Sequence, residues 1–236
     1  MNDLQIRVRK STNRGASNFG WLDSKHSFSF GEYYDPNHMG FRSLRVINDD
    51  HVSGGQGFGM HPHKNMEIFS YVIEGELKHE DSIGNGRVIK AGEFQYMSAG
   101  TGILHSEFNP SDQTVHFLQI WIQPDELGGA PKYAELDTKA LNHDQDLVLF
   151  ASADGRDHSI QMRQKADIYF GKTHTNKSIQ VPAAAYSGAW VQVIKGALNL
   201  DGLQLTPGDG ASIENAQTGF ELTGSEGTEF ILFRLQ

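Results

Sequence analysis

The sequence predicts an all-β protein built as two tandem barrels, and three observations predict it. The 236 residues include 26 glycines and few helix-forming runs, so turns cut the chain often. Apolar residues come in short alternating stretches such as Glu67-Ile68-Phe69-Ser70-Tyr71-Val72-Ile73, the pattern of strands. One local pattern also occurs twice, as a strand, a glycine turn, a strand and a Gly-acid turn. Tyr71-Val72-Ile73-Glu74-Gly75-Glu76-Leu77 resembles Val191 to Leu198, and Lys90-Ala91-Gly92-Glu93 resembles Thr206-Pro207-Gly208-Asp209, a weak internal repeat.

Taken in order, Met1 to Arg7 contains no apolar run long enough for a signal peptide, and no later stretch approaches a membrane span. A cytoplasmic protein with no membrane partner is expected. The basic cluster Arg7, Arg9, Lys10 and Arg14 reads as a solvated first strand and turn. A formal net charge of −9 works against direct nucleic-acid binding, because such affinity rests on neutralising phosphates. From Phe41 to Ile122, strand-like segments at 44–47, 68–73, 86–89, 94–97 and 115–122 alternate with glycine-rich turns, which suggests a sandwich or barrel. The first domain is placed at 1–125. Pro124, Gly128-Gly129 and Pro131 break the pattern, so 126–146 reads as a connector. A second domain follows at 147–236, with strands at 147–150, 168–170, 189–194, 198–200 and 230–233.

The chemistry concentrates in the first half. His61-Pro62-His63 and His105-Ser106-Glu107 each place two donors at i, i+2, and residues two apart on a strand share one face of the sheet. Two such strands facing each other supply three imidazoles and one carboxylate. These donors suit iron, nickel, manganese, cobalt or zinc, and the lack of thiolate argues against a closed structural zinc site. The chain has no cysteine at all, which excludes disulfides and thiol catalysis. In the second half nothing like His-x-His precedes Trp190 and no histidine follows Gly208, so a metal belongs to the first half only. The remaining histidines read as core or surface residues, with His116 the one whose strand face could line the barrel. By strand parity Glu67 lies on the face of His61 and His63, yet roughly 13 Å away by strand rise, which makes it a poor ligand. Gly54 to Gly59 lead into His-Pro-His, with no following helix or Lys-Ser/Thr, and read as tight turning of the backbone beside the ligand strand, not as a phosphate loop. No Gly-x-Ser-x-Gly elbow is present. Phe58, Met60, Phe69, Met97, Leu104, Phe108 and Phe117 are candidates for the wall of a planar-substrate pocket, with core packing as the alternative. Asn176-Lys177-Ser178 fits a glycosylation pattern that a cytoplasmic protein does not use.

Gly55 through His63, with Gly75 following, resembles the first motif of the cupin superfamily, and Gly92 through Asn109 resembles the second, with Ser98 in the usual proline place. The resemblance then narrows. Trp21-Leu22-Asp23, His26-Ser27-Phe28-Ser29-Phe30, Tyr34-Asp35-Pro36, Leu44 to Asp50, His61 to Glu67, and Ser98 to Glu107 together resemble the pirin family. That resemblance implies a double cupin, two double-stranded β-helix (jelly-roll) barrels, with one mononuclear metal held by His61, His63, His105 and Glu107. Fe(II) is the metal expected, and Ni, Mn, Co, Cu or Zn fit the same donors. Two functions are implied. One is a quercetinase-type dioxygenase that cleaves a flavonol with O2, with Glu107 as the catalytic proton acceptor. The other is a metal-dependent sensor that binds a transcription factor or enzyme partner without turnover, as in the animal members. A third possibility is an oxygen-independent cupin enzyme such as an isomerase. A monomer is expected.

Overall fold

The computed structural model describes residues 4–141, 145–173 and 178–236; His143, His174 and Asn176-Lys177 lie outside the described residues. Along the chain the strands are β1 (Gln5–Arg9), β2 (Gly15–Asn18), β3 (Leu22–His26), β4 (Leu44–Val52), β5 (Gly57–His63), β6 (Glu67–Glu74), β7 (Glu76–Asp81), β8 (Gly86–Lys90), β9 (Glu93–Ser98), β10 (Ile103–Phe108), β11 (Val115–Ile122) and β12 (Lys132–Asp137). They continue as β13 (Leu147–Ser152), β14 (Ile160–Gln161), β15 (Ala166–Lys172), β16 (Ser178–Val181), β17 (Gly188–Lys195), β18 (Leu198–Leu200), β19 (Leu203–Leu205), β20 (Gly210–Glu214), β21 (Phe220–Gly224) and β22 (Glu229–Leu235). Among the described residues only single 3₁₀ turns interrupt them, so the all-β prediction holds. No helix of the described residues is long and apolar enough to cross a membrane.

Two compact units form. Gly15–Ala140 with Met162–Gln164 carries a seven-stranded sheet, β12-β9-β6-β11-β4-β3-β2, and a four-stranded sheet, β5-β10-β7-β8. The sheets face each other, because Leu22, Val52, Val72 and Phe117 of the first pack with Leu77 and Ile89 of the second in one buried cluster. The other unit repeats the plan, with β1-β20-β17-β22-β15-β13-β14 and β16-β21-β18-β19. There, strands β16 and β21, which match β5 and β10 in sheet order, contribute Ile179, Val181, Phe220 and Leu222 to an apolar core. Side chains that bury without hydrogen-bonding needs fill that barrel.

The units do not follow the predicted boundaries at 125 and 146. Met1–Arg14 belongs with Leu141–Gln161 and Lys165–Gln236, because β1 pairs antiparallel with β20 from Gln5↔Glu214 to Arg9↔Gly210. The basic cluster is therefore not simply solvated: Arg9 is buried, and Lys10 Nζ meets Asp209 Oδ2 at 2.9 Å. Likewise β12, inside the predicted connector, pairs with β9 from Lys132↔Ser98 to Asp137↔Glu93. Both added strands satisfy backbone groups on strands that would otherwise end their sheets.

Candidate metal centre

Strands β5 and β10 lie side by side, with Ile103 opposite His63 and His105 opposite His61. The register then slips: Glu107 stands opposite Phe58, so β5 spends three residues where β10 spends two. This is a β-bulge. It inverts the alternation of β5, so that Phe58 lines the same cavity as His61 and His63 while Met60 is exposed. Glycine is required at Gly57, where a Cβ would lie 2.3 Å from the Glu107 carbonyl oxygen and 2.6 Å from Phe108 Cα. Gly55 turns with φ 69°. Gly59 has neither constraint.

The three histidines come together. Ring centroids are 4.8 Å apart for His61 and His63, 4.5 Å for His61 and His105, and 4.8 Å for His63 and His105. One ligand atom from each lies within 4.8 Å of the others, so small ring rotations close the set on one ion. His61 Nδ1 lies 2.8 Å from the Gly59 carbonyl oxygen; donation to it fixes the tautomer and leaves Nε2 as the coordinating atom. His63 Nε2 and both nitrogens of His105 are buried without a hydrogen-bond partner. Such groups are costly to bury unpaired, and a metal ion is the partner their chemistry fits. Burial, reinforced by the neighbouring imidazoles, holds His63 down to about 4 and His105 down to about 3. Their lone pairs are thus free at neutral pH.

Glu107 is buried on the same strand as His105 and lines the cavity with His61 and His63. Its Oε1 accepts from Ser70 Oγ at 2.6 Å and its Oε2 from Gln119 Nε2 at 2.6 Å. It does not belong to the close histidine set. The cavity encloses about 230 Å³, small for a ligand site. Phe30, Phe58, Leu22 and Trp121 form apolar walls, and Trp121 stands edge-on to His63 at 4.8 Å. Ser24, Asn48 and Asp50 also line the cavity and bring polar groups to it. Burial pushes the Asp50 carboxyl up to about 7, against the lowering effect of a hydrogen bond from Ser24.

The structure decides between the readings left open for several residues and corrects the placement of Glu67. Of the predicted wall residues only Phe58 lines this cavity; Phe69, Met97 and Phe117 are core, and Met60, Leu104 and Phe108 are exposed. Glu67 does not share a face with the histidines. β5 ends at His63, the chain turns through Asn65 at φ 51°, and Glu67 starts β6 in the other sheet, bound by the hydroxyls of Tyr96 and Ser98 and the backbone N–H of Arg163. His116 points away from the cavity, level with His51 across β4 and β11. The residues that sequence reasoning missed are Ser70, Gln119, Asp50 and His79. His79 is buried 5.4 Å from the His105 ring and bonds Asp81 Oδ2 at 3.1 Å. The alternation of His79 with Asp81 was its only local signal.

Comparison with known proteins agrees with this architecture. Residues 6–122 match the family described as Pirin, and residues 149–235 match the quercetinase C-terminal cupin domain. Quercetin 2,3-dioxygenase of Escherichia coli (strain K12) is 46% identical over 231 residues, covering 98% of each chain. The crystal structure of E. coli YhhW superposes with a TM-score of 0.93 at 44% identity, covering 98% of each chain. The bacterial pirin YhhW in complex with nickel(II) gives 0.92 at 45% identity, covering 98% of this chain and 99% of that one.

Proposed function

Because the chain belongs to the pirin family, we propose that it is a metal-dependent dioxygenase that cleaves a flavonol such as quercetin with O2. One observation carries the reading: His61, His63 and His105 cluster with their ligand atoms within 4.8 Å of one another, those of His63 and His105 buried without a partner, beside a cavity that also holds a fixed carboxylate. The relative named quercetin 2,3-dioxygenase supports the substrate class.

His61, His63 and His105 would hold the ion, with Glu107 as the fourth donor, and Fe(II) is the metal we propose. When bound, the ion supplies a Lewis acid that makes a substrate hydroxyl more acidic and positions for substrate and O2. Glu107 is the residue placed to take the proton. Each of its oxygens already accepts one hydrogen bond and keeps a further lone pair. The clamp from Ser70 and Gln119 holds that lone pair in one direction, which is what proton transfer in a fixed geometry needs. Phe30, Phe58 and Trp121 would pack against the part of a planar flavonol that enters this small cavity, beside the polar groups of Asn48 and Asp50.

Oxygen uptake with quercetin tests the proposal, using protein purified anaerobically and loaded with Fe(II), beside the His61→Ala/His63→Ala double variant. Uptake with flavonol loss in the wild type alone is the expected result. No uptake by protein carrying bound metal would overturn it, and would favour the partner-binding sensor or an oxygen-independent reaction.

A further inference from the structure

The seven-stranded sheet of the first unit carries a second group of imidazoles on the face away from the cavity. Along β4, Asn48 and Asp50 line the cavity, so the alternation of the strand turns Asp49 and His51 to the opposite face. Pairing with the neighbouring strands then aligns a row across four strands: Asp23 of β3 opposite His51 of β4, His51 opposite His116 of β11, and His116 opposite Glu74 of β6. Directly opposed residues hold their Cβ atoms about 4.5–5.5 Å apart. Accordingly the two imidazoles stack, with centroids 4.0 Å apart and planes at 15°. Asp49 reaches into the same cluster, its Oδ1 lying 2.6 Å from His116 Nε2.

We propose that Asp49, His51 and His116 form a second divalent-cation site, separate from the histidine centre and open to solvent, for a late first-row metal such as Zn²⁺ or Ni²⁺. The argument is one of geometry and donor chemistry. One ligand atom from each of the three residues lies within 4.8 Å of the others, the same closeness found for His61, His63 and His105. Two imidazole nitrogens and one carboxylate oxygen are a donor set suited to zinc, nickel, cobalt or copper, and they leave positions for water. Closing on an ion requires both rings to turn out of their stack, because lone pairs lie in the ring planes. His51 is exposed and His116 half-buried, so room for that rotation exists. Asp23 and Glu74 flank the row with further negative charge; Lys25, paired with Asp23 at 2.9 Å, offsets part of it.

The test is stoichiometry. Metal-free protein is dialysed against buffered Zn²⁺, and separately Ni²⁺, and bound metal is measured at saturation in four chains. The wild type is expected to take two equivalents. The single His51→Gln variant and the Asp49→Asn/His116→Gln variant are each expected to take one. The His61→Ala/His63→Ala variant is expected to keep one, with the imidazole proton resonances of His51 and His116 shifting as Zn²⁺ is added. His51 is exposed, so its replacement leaves the fold in place, and a melting curve checks this. Saturation of the wild type at one equivalent overturns the proposal. So does a second equivalent retained by His51→Gln, or a His61→Ala/His63→Ala chain whose His51 and His116 resonances ignore the metal.

Discussion

Ser70 on β6 donates its hydroxyl to Oε1 of Glu107 on β10 at 2.6 Å, joining the two sheets of the barrel through the buried carboxylate of the candidate metal centre. The same hydroxyl lies 3.2 Å from Oε1 of Gln119, whose amide nitrogen holds the other Glu107 oxygen. Removing a group that orients a ligand or base in this way typically lowers affinity or activity by about 10–100-fold. Ser70→Ala is therefore expected to lower flavonol turnover about tenfold while bound metal and KM change little. Steady-state kinetics with metal analysis checks this, and unchanged kcat would show that the carboxylate needs no such orientation.

Gly57 and Gly59 lie on one strand and make opposite predictions. A Cβ on Gly57 overlaps the backbone of Glu107 and Phe108, whereas one on Gly59 meets nothing within 4 Å. Gly57→Ala must push β5 off β10 where the bulge sets the position of Glu107, at a cost of about 1–3 kcal/mol. Gly59→Ala should stay within about 0.5 kcal/mol of the wild type. Thermal unfolding of both variants measures the contrast, and equal losses would mean that the close approach at Gly57 is not the constraint.

Glu67 is a structural carboxylate. It accepts from Tyr96 and Ser98 and from the backbone N–H of Arg163, all away from the histidines. Glu67→Ala leaves buried donors unpaired, each worth about 1–3 kcal/mol. The expected result is a lower melting temperature with metal stoichiometry unchanged, read by unfolding and metal analysis together. Loss of metal from a folded Glu67→Ala chain would instead make Glu67 a ligand.

The same residue shows where sequence reading stops. His61 and His63 were legible because i, i+2 alternation is a property of one strand, and so was the relation of His105 to Glu107. Glu67 was misplaced because the alternation was carried through Asn65, whose φ of 51° turns the chain after one strand and before the next begins in another sheet. Phe58 faces the cavity only through a bulge that depends on its partner strand. Ser70 and Gln119 are 37 and 12 residues from Glu107, and only the pairing of β6 with β11 unites them. The stack of His51 on His116 likewise depends on cross-strand register. The two-barrel plan was visible in the repeated strand and turn pattern, but the pairing of β1 with β20 spans nearly the whole chain. No local composition encodes it.

Acid should destabilise the metal-free protein, and the histidines give the direction. In the folded chain His63 and His105 protonate at about 4 and about 3 rather than at 6.5, chiefly because burial penalises the cation. Between these limits the unfolded chain binds more protons, so stability rises with pH through that window. It is fully present above 6.5 and is lost as pH falls toward the folded values. The melting temperature of metal-free wild type is expected to fall steadily from pH 7 to pH 4. His105→Leu removes one of the two groups, fills its site with an apolar side chain, and should flatten the decline. A His105→Leu curve parallel to the wild type would place the acid-sensitive groups elsewhere in the barrel.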